Sequence, residues 1–237
     1  MYTTKNRVGA SHADENGLLK LTSALDFIQD CELFWLETAP ALTEFFSECG
    51  AAMVLAFRKV DIPRMPGYGE CLTVSTAVYY YKDYYGYRTT NIYDGQGNPC
   101  VKTWGVGVMI DTGSGCLRKV PAEVAARVKM DDPPGFDPPS RRILPPDAPP
   151  ESLAGIPVRP DYIDINKHVN NVRYIDAVTP LLPPGFTASA LRVEYKTAAK
   201  LGGTLYPVRR VSPEGVTHIA LNNERGRPYA AMEFTPL

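Results

Sequence analysis

Asp164, Asn166 and His168 place a carboxylate, a carboxamide and an imidazole at alternate positions of one short stretch. Side chains at alternate positions share a side where the backbone is extended, so an extended stretch would gather all three. Asn170 and Asn171 follow, and asparagine is typical of a helix start because its side chain accepts a hydrogen bond from a free backbone amide. An acid, an amide and an imidazole beside such amides can activate water and stabilise an oxyanion.

A structural role is the alternative for the same residues. Aspartate and asparagine often precede helices only as caps, and a single histidine there is often only a hydrogen-bonding partner. The three residue types alone therefore do not decide between a catalytic and a structural stretch.

A longer pattern around these residues is more specific. The string D-x-N-x-H-V-N-N-x-x-Y runs from Asp164 to Tyr174 and resembles the signature of the acyl-acyl carrier protein thioesterases of plants and bacteria. Four further segments resemble strands and a turn of that family: residues 58–66, 103–109, 117–121 and 191–196. The resemblance implies release of free fatty acid from acyl carrier protein in fatty acid biosynthesis, with Asp164, Asn166 and His168 as catalytic residues and no cofactor.

Composition excludes several other classes of protein. The chain has 237 residues, of which 44% are hydrophobic and 22% charged, as in ordinary globular proteins. Its net charge of -1 gives no field that would attract nucleic acid. No apolar run approaches the about 18 residues of a membrane span, and residues 1–5 do not resemble a signal peptide. We therefore expect a cytoplasmic protein of bacterial type.

The cysteines and the missing motifs narrow the chemistry further. Five scattered cysteines, all in the first half and without a C-x-x-C pair, predict neither a disulfide framework nor a zinc site. No G-x-S-x-G string is present, so a serine hydrolase is not expected.

The first half reads as helices followed by strands. Periodicity and turn residues predict an extended segment at 2–8, helices at 22–38, 42–49 and 121–130, and strands at 51–62, 70–81, 86–93 and 99–110. No helix separates these strands, so an antiparallel sheet around the long helix is favoured over a parallel one. This order is the hot-dog arrangement, which is also the fold that the resemblance implies.

The second half repeats that order after a proline-rich stretch. An extended segment at 153–159, a helix ending near Val178, and strands at 189–197, 204–211, 216–222 and 227–234 are predicted. We therefore predict an α+β tandem hot-dog, in which antiparallel sheets each wrap a central helix. The predicted parts are a first unit at 1–130 with the acyl pocket, a semi-rigid linker at 131–152, and a catalytic second unit at 153–237.

The two halves differ where the chemistry is expected. Aligning the two helix starts sets residues 20–23, Lys-Leu-Thr-Ser, against residues 168–171, His-Val-Asn-Asn. In this alignment the first half lacks the acid, the amide and the imidazole, so one active site per chain is predicted.

Thioester hydrolysis makes modest demands on such a site, because the leaving thiol has a pKa of about 8.5. Asp164 is the expected base or nucleophile, Asn166 would position water or the carbonyl, and His168 would orient Asp164 or protonate the thiolate. The backbone amides of Val169, Asn170 and Asn171 are expected to face the oxyanion. Direct attack by water and an acyl anhydride on Asp164 both remain open.

The chain departs from part of the family after the strand that contains Glu194. Some members carry an acid followed by a cysteine at the positions of Ala198 and Ala199, and that cysteine was proposed as a nucleophile. A cysteine mechanism is therefore not expected here, and His168 has one fewer carboxylate partner.

Two further sets of residues are weaker candidates. Residues that would line the acyl pocket are Met53, Leu55 and Trp104, for which core packing is an equal explanation. Candidate contacts for an acidic carrier protein and its phosphopantetheine are Arg141, Arg142, Lys196, Lys200, Arg209 and Arg210, for which solvated surface charge is the default.

The expected partner is acyl carrier protein bearing an acyl chain. The protein itself is expected to be either a monomer whose two halves mimic a dimer or a homodimer. The alternatives are an acyl-CoA thioesterase, a catalytically weakened protein that only binds acyl thioesters, and a hot-dog dehydratase.

Overall fold

The computed structural model describes residues 1–81 and 83–237, and the chain divides into two compact units. The first unit comprises Met1–Arg58 and Ile62–Pro138, and the second comprises Lys59–Asp61 and Pro139–Leu237. Each unit contains a set of antiparallel strands and a central helix, which confirms the predicted α+β tandem hot-dog.

The first unit begins with a strand, continues through helices and ends in a meander of long strands. Its strands are β1 (Tyr2–Arg7), β2 (Ala51–Asp61), β3 (Cys71–Lys82), β4 (Tyr85–Tyr93) and β5 (Pro99–Asp111), in the order β1-β3-β4-β5-β2. Its helices are α1 (Leu21–Phe34), α2 (Pro40–Cys49) and the short α3 (Ala122–Ala125).

Helix α1 is the central helix of the first unit. Its apolar residues Ala24, Leu25, Ile28 and Cys31 recur at helical spacing and are buried as the helix lies against β1, β3 and β4. The expected helix at 22–38 therefore exists but is shorter, because its last turn, Trp35–Thr38, tightens into a 3-10 helix. The expected helix at 121–130 is reduced to the four residues of α3.

The second unit has the same order of elements with less material. Its strands are β6 (Glu151–Ser152), β7 (Ile156–Pro157), β8 (Ala188–Tyr195), β9 (Thr204–Val211), β10 (Thr217–Asn222) and β11 (Pro228–Pro236), and its helix is α4 (Asn171–Val178). The strand order is β8-β11-β10-β9-β6, with β7 also paired to β9. In both units the strand after the central helix neighbours the last strand, as expected for two copies of one fold.

The proline-rich stretch has no helix or strand between α3 and β6, and its second part is tied to the second unit. Arg192 of β8 donates to the carbonyls of Ser140, at 2.8 Å, and Arg142, at 3.1 Å. Arg210 of β9 donates to the carbonyl of Ala148. We call residues 140–148 the strap, because these bonds hold the segment against strands β8 and β9.

None of the helices in the described ranges is long and apolar enough to cross a bilayer.

Candidate active site

Residues 163–169 form a tight hairpin immediately before α4. Ile163 and Val169 form an antiparallel bridge, the amide of Asp164 donates to the carbonyl of His168 at 2.9 Å, and the amide of Lys167 donates to the carbonyl of Asp164 at 2.9 Å. Residues 165–167 form the loop, and its last residue, Lys167, has a left-handed φ of 61°. A turn followed by one left-handed residue is a common three-residue hairpin loop.

This hairpin corrects the expectation of an extended backbone. Asp164 and His168 come together because they lie directly opposite each other across the hairpin, and opposed residues of an antiparallel pair share a face. Asn166 lies at the exposed tip of the turn, whereas Asp164 and His168 are half-buried. The acid and the imidazole are thus opposite each other across the hairpin, and Asn166 lies in the loop between them.

The carboxylate of Asp164 stabilises its own turn. Its Oδ1 accepts a hydrogen bond of 2.8 Å from the amide of Asn166, a short-range bond typical of aspartate in turns. This bond fixes the orientation of the carboxylate beside His168.

The backbone amides at the start of α4 do not all remain available. The amide of Val169 donates to Ala199 O at 2.9 Å, and that of Asn170 donates to Tyr162 O at 2.9 Å. Asn170 is the predicted cap, since its side chain accepts from the amide of Val172 at 2.8 Å. Among the described residues, the amide of Asn171 has no acceptor, so it is the one of the three amides expected to face an oxyanion that is not already engaged.

Tyr174 ends the sequence pattern that begins at Asp164, and the structure places it close to the same hairpin. It lies one turn into α4, is only 2% exposed, and its hydroxyl accepts a hydrogen bond of 2.7 Å from the amide of Ala199. Burial raises the pKa of Tyr174 to about 12, and the negative charge of nearby Asp164 acts in the same direction. The hydroxyl therefore stays protonated and can still donate a hydrogen bond.

The segment around Ala199 is where the family resemblance implies an acid and a cysteine in some members. Ala198 is exposed and Ala199 is buried, so neither offers a nucleophile, and the five cysteines are all free thiols of the first unit. Ala199 instead contributes its backbone, which bonds to the hairpin through its carbonyl and to α4 through its amide.

The first unit contains an equivalent hairpin that corrects the sequence alignment. Asp14 Oδ1 accepts from the amides of Asn16 and Leu18, each at 2.9 Å, and the amide of Asp14 donates to Leu18 O at 2.8 Å. Gly17 has the left-handed φ of 74° that Lys167 has in the second unit.

Asp14, Asn16 and Leu18 therefore correspond to Asp164, Asn166 and His168, and the sequence alignment that set residue 20 against His168 was two positions out. The predicted helix began at residue 22, whereas α1 begins at Leu21 and the residue before it is Lys20, which makes no side-chain cap. The first hairpin retains the acid and the amide and lacks only the imidazole.

The acyl-pocket candidates do not lie together. A Cβ at Gly107 would lie 2.6 Å from the sulfur of Met53, and one at Gly105 would lie 3.7 Å from Leu55, so both side chains lie over one face of β5. Trp104 points to the other face because successive strand residues alternate. There it stacks edge-on with Phe57 and donates to the hydroxyl of Tyr79.

The candidate carrier-protein contacts also separate into different environments. Arg209 bonds to Glu151, at 2.6 Å, and Arg210 to the strap. Lys196 forms an ion pair with Glu194 at 2.6 Å, whereas Lys200 is exposed beside Ala199. Arg142 is exposed and contributes its carbonyl to the bond with Arg192, and Arg141 is half-buried.

No group of three or more histidine, cysteine, aspartate or glutamate side chains in the described ranges is arranged to hold a metal ion.

Comparison with protein families identifies the chain. Residues 1–128 match the model described as "Acyl-ACP thioesterase N-terminal domain", and residues 150–228 match "Acyl-ACP thioesterase C-terminal domain". This chain belongs to the acyl-ACP thioesterase family. Its activity is that of a thioester hydrolase that releases free fatty acid from acyl carrier protein, as the sequence signature implied.

Solved structures of family members have the same fold. An acyl-ACP thioesterase from Bacteroides thetaiotaomicron has 20% sequence identity and a TM-score of 0.86, with 98% of this chain and 96% of that chain covered. A putative oleoyl thioesterase from Lactobacillus plantarum has 21% identity and a TM-score of 0.85, with 98% and 94% covered. The 12:0-ACP thioesterase from Umbellularia californica has 16% identity and a TM-score of 0.83, with 99% and 96% covered.

A sequence comparison with curated proteins finds none that matches significantly.

Proposed function

We propose that this thioesterase acts through the hairpin of residues 163–169, with Asp164 as base or nucleophile and His168 as its imidazole partner. The observation that carries the proposal is the direct opposition of these two residues across the hairpin. Both are half-buried, so an acyl thioester can reach them while part of the surrounding water is displaced.

In the proposed water route, Asp164 accepts a proton from water, and the resulting hydroxide attacks the carbonyl carbon of the thioester. The tetrahedral oxyanion is stabilised by the amide of Asn171, and one such donor contributes about 3 kcal/mol. The intermediate then expels the pantetheine thiolate, the C–S bond breaks, and the proton that Asp164 took from water passes through His168 to the thiolate, which forms the thiol and restores both residues. Asn166, at the exposed tip, contacts the incoming thioester or water.

The alternative route uses the same residues. The carboxylate of Asp164 attacks the carbonyl itself, the thiolate leaves, and water hydrolyses the resulting anhydride. Rapid quenching followed by mass spectrometry separates the two routes. An acyl adduct on the peptide that contains Asp164 identifies the anhydride route, and its absence at full single-turnover product supports water attack.

Hydrolysis assays test the proposal as a whole. Acyl carrier protein and coenzyme A carrying the same acyl chain, in a series of graded chain lengths, give the donor and chain-length preferences. We expect Asp164→Ala and His168→Ala each to remove most turnover with the fold retained. Full activity in Asp164→Ala would exclude this site, and binding without release by the unmodified chain would identify an acyl-thioester-binding protein.

The remaining expectations stay predictions. Sedimentation would establish whether the chain is a monomer or a homodimer, and fractionation of the producing cell would test the expected cytoplasmic location. Substitution of Met53 and Leu55 would test whether the first unit supplies the acyl pocket, through a change in chain-length preference.

A further inference from the structure

The two hairpins provide an internal comparison, because one backbone conformation carries two different sets of tip residues. The first hairpin has Glu15 and Gly17 where the second has Ile165 and Lys167. The backbone hydrogen bonds are equivalent, so the fold of the hairpin does not require an isoleucine or a lysine at either position.

A second turn lies beside each hairpin, and the residues of this turn also differ between the two units. In the second unit, the bond from Val169 to Ala199 brings the following Lys200 and Leu201 next to the hairpin, in a turn closed by the bond from Gly203 to Lys200 at 3.0 Å. In the first unit, Leu19 bonds to Pro66, and the turn that follows is closed by the bond from Glu70 to Gly67 at 3.2 Å. Gly67 and Tyr68 therefore correspond to Lys200 and Leu201.

The second unit exposes two aliphatic and two basic side chains at these four positions. Ile165 is 91% exposed and Leu201 is 59% exposed, and the side chains of Lys167 and Lys200 are both exposed. The first set carries one negative charge, on Glu15, and one exposed aromatic ring, on Tyr68, whereas the second carries two positive charges and two aliphatic groups. This difference is concentrated next to the hairpin that contains His168.

Lys167 adds a conformational argument. Its left-handed backbone is unfavourable for a residue with a Cβ, a cost that Gly17 avoids at the equivalent position. Backbone strain of this kind at one copy only indicates that the side chain of Lys167 is useful there.

We propose that Ile165, Lys167, Lys200 and Leu201, which we call the docking rim, bind the acidic protein that carries the acyl chain. The inference rests on the proposed function, because the rim flanks Asp164 and His168 and a carrier held there would present its thioester to them. Two lysines supply long-range attraction to an acidic surface, and the aliphatic pair supplies the apolar contact that fixes its orientation.

The other basic candidates are less suited to this role. Arg209 and Arg210 already hold Glu151 and the strap, and Lys196 is paired with Glu194. The carrier contact is therefore assigned to the rim, which shares Lys200 with the candidates predicted from the sequence.

The test compares two substrates with the same acyl chain, one on acyl carrier protein and one on N-acetylcysteamine, which has no protein to dock. The variants are the charge reversal Lys167→Glu with Lys200→Glu, and the polar replacement Ile165→Asn with Leu201→Asn. We expect the ratio of kcat/KM on carrier protein to kcat/KM on the small thioester to fall by about tenfold or more in the charge-reversed variant. Its kcat/KM on carrier protein should also lose much of its dependence on ionic strength.

Lys102→Glu is the matched control, since it reverses an exposed lysine on β5 and should leave the ratio unchanged. An unchanged ratio in both rim variants, with thermal unfolding like that of the parent chain, would overturn the docking rim alone. Failure of the parent chain to hydrolyse either substrate would instead overturn the proposed function.

Discussion

The backbone amide of Ala199 donates to the hydroxyl of Tyr174 across 2.7 Å, and both residues are almost completely buried. The carbonyl of Ala199 accepts from Val169 at 2.9 Å, so one residue joins the end of the hairpin to the first turns of α4. The geometry of the candidate site therefore depends on a bond that no catalytic side chain makes.

Tyr174→Phe should expose this dependence. The change leaves the buried amide of Ala199 without an acceptor, which typically costs about 1–3 kcal/mol of unfolding free energy. We expect lower kcat together with lower stability, measured by steady-state kinetics and urea unfolding. Tyr206→Phe removes a hydroxyl from a more exposed tyrosine and serves as the control. Unchanged stability and kcat in Tyr174→Phe would contradict the role assigned to this bond.

Asp164→Asn and Asp14→Asn form a matched pair for the catalytic assignment. An asparagine oxygen can still accept the amide hydrogen bond of the turn, so both variants should fold like the parent chain. Only Asp164→Asn removes the proposed base, and loss of a general base lowers turnover by about 100-fold or more. Hydrolysis assays on both variants give the result, and equal activities would show that the carboxylate of Asp164 has only a structural role.

Lys167→Gly should stabilise the chain while weakening carrier docking. A left-handed backbone favours glycine, but glycine also loses more conformational entropy on folding, so the net gain should be about 0.5 kcal/mol. Gly17→Lys makes the reverse change in the first hairpin and should destabilise by a similar amount. Chemical denaturation measures both, and a Lys167→Gly variant less stable than the parent chain would remove the conformational argument for the docking rim.

The buried His218 should make the free energy of unfolding depend on pH. It is 5% exposed on β10, where it lies opposite Glu233 of β11 and Arg210 of β9. Burial lowers the pKa of His218, the positive charge of Arg210 acts in the same direction, and Glu233 opposes both.

The unfolded chain therefore binds a proton at this residue before the folded chain does. The contribution of neutral His218 is fully present above the unfolded pKa of about 6.5 and is lost as the pH falls below it. We expect His218→Gln to reduce the loss of unfolding free energy between about pH 7.5 and about pH 5.5. Equal pH dependence in both chains would show that the pKa of His218 does not change on folding.

The sequence predicted the long strands and the duplication because alternating patterns and glycine turns act locally. The turn at Asp94, for example, has its glycine at the left-handed position, and β4 and β5 meet there as expected. The hairpin at Lys167 was missed because a lysine gives no sign of a left-handed backbone. The start of α1 was misplaced because Lys20 is not a capping residue type.

The sequence pattern did not predict contacts between residues that are far apart along the chain. Nothing in the spacing of Tyr174 and Ala199 predicts their bond, although the tyrosine ends the sequence signature. The strap was predicted only as a linker, since hydrogen bonds from Arg192 and Arg210 to its carbonyls depend on tertiary packing.

The pair Leu18 and His168 illustrates what a fused duplicate permits. In a homodimer built from one gene product, a leucine at this position would remove the imidazole from both subunits at once. Because the two halves here are separate stretches of one chain, Leu18 can stand in one half while His168 stands in the other. Each molecule is therefore expected to process a single acyl chain at a time, and residues of the first half can vary without changing the group proposed to cleave the bond.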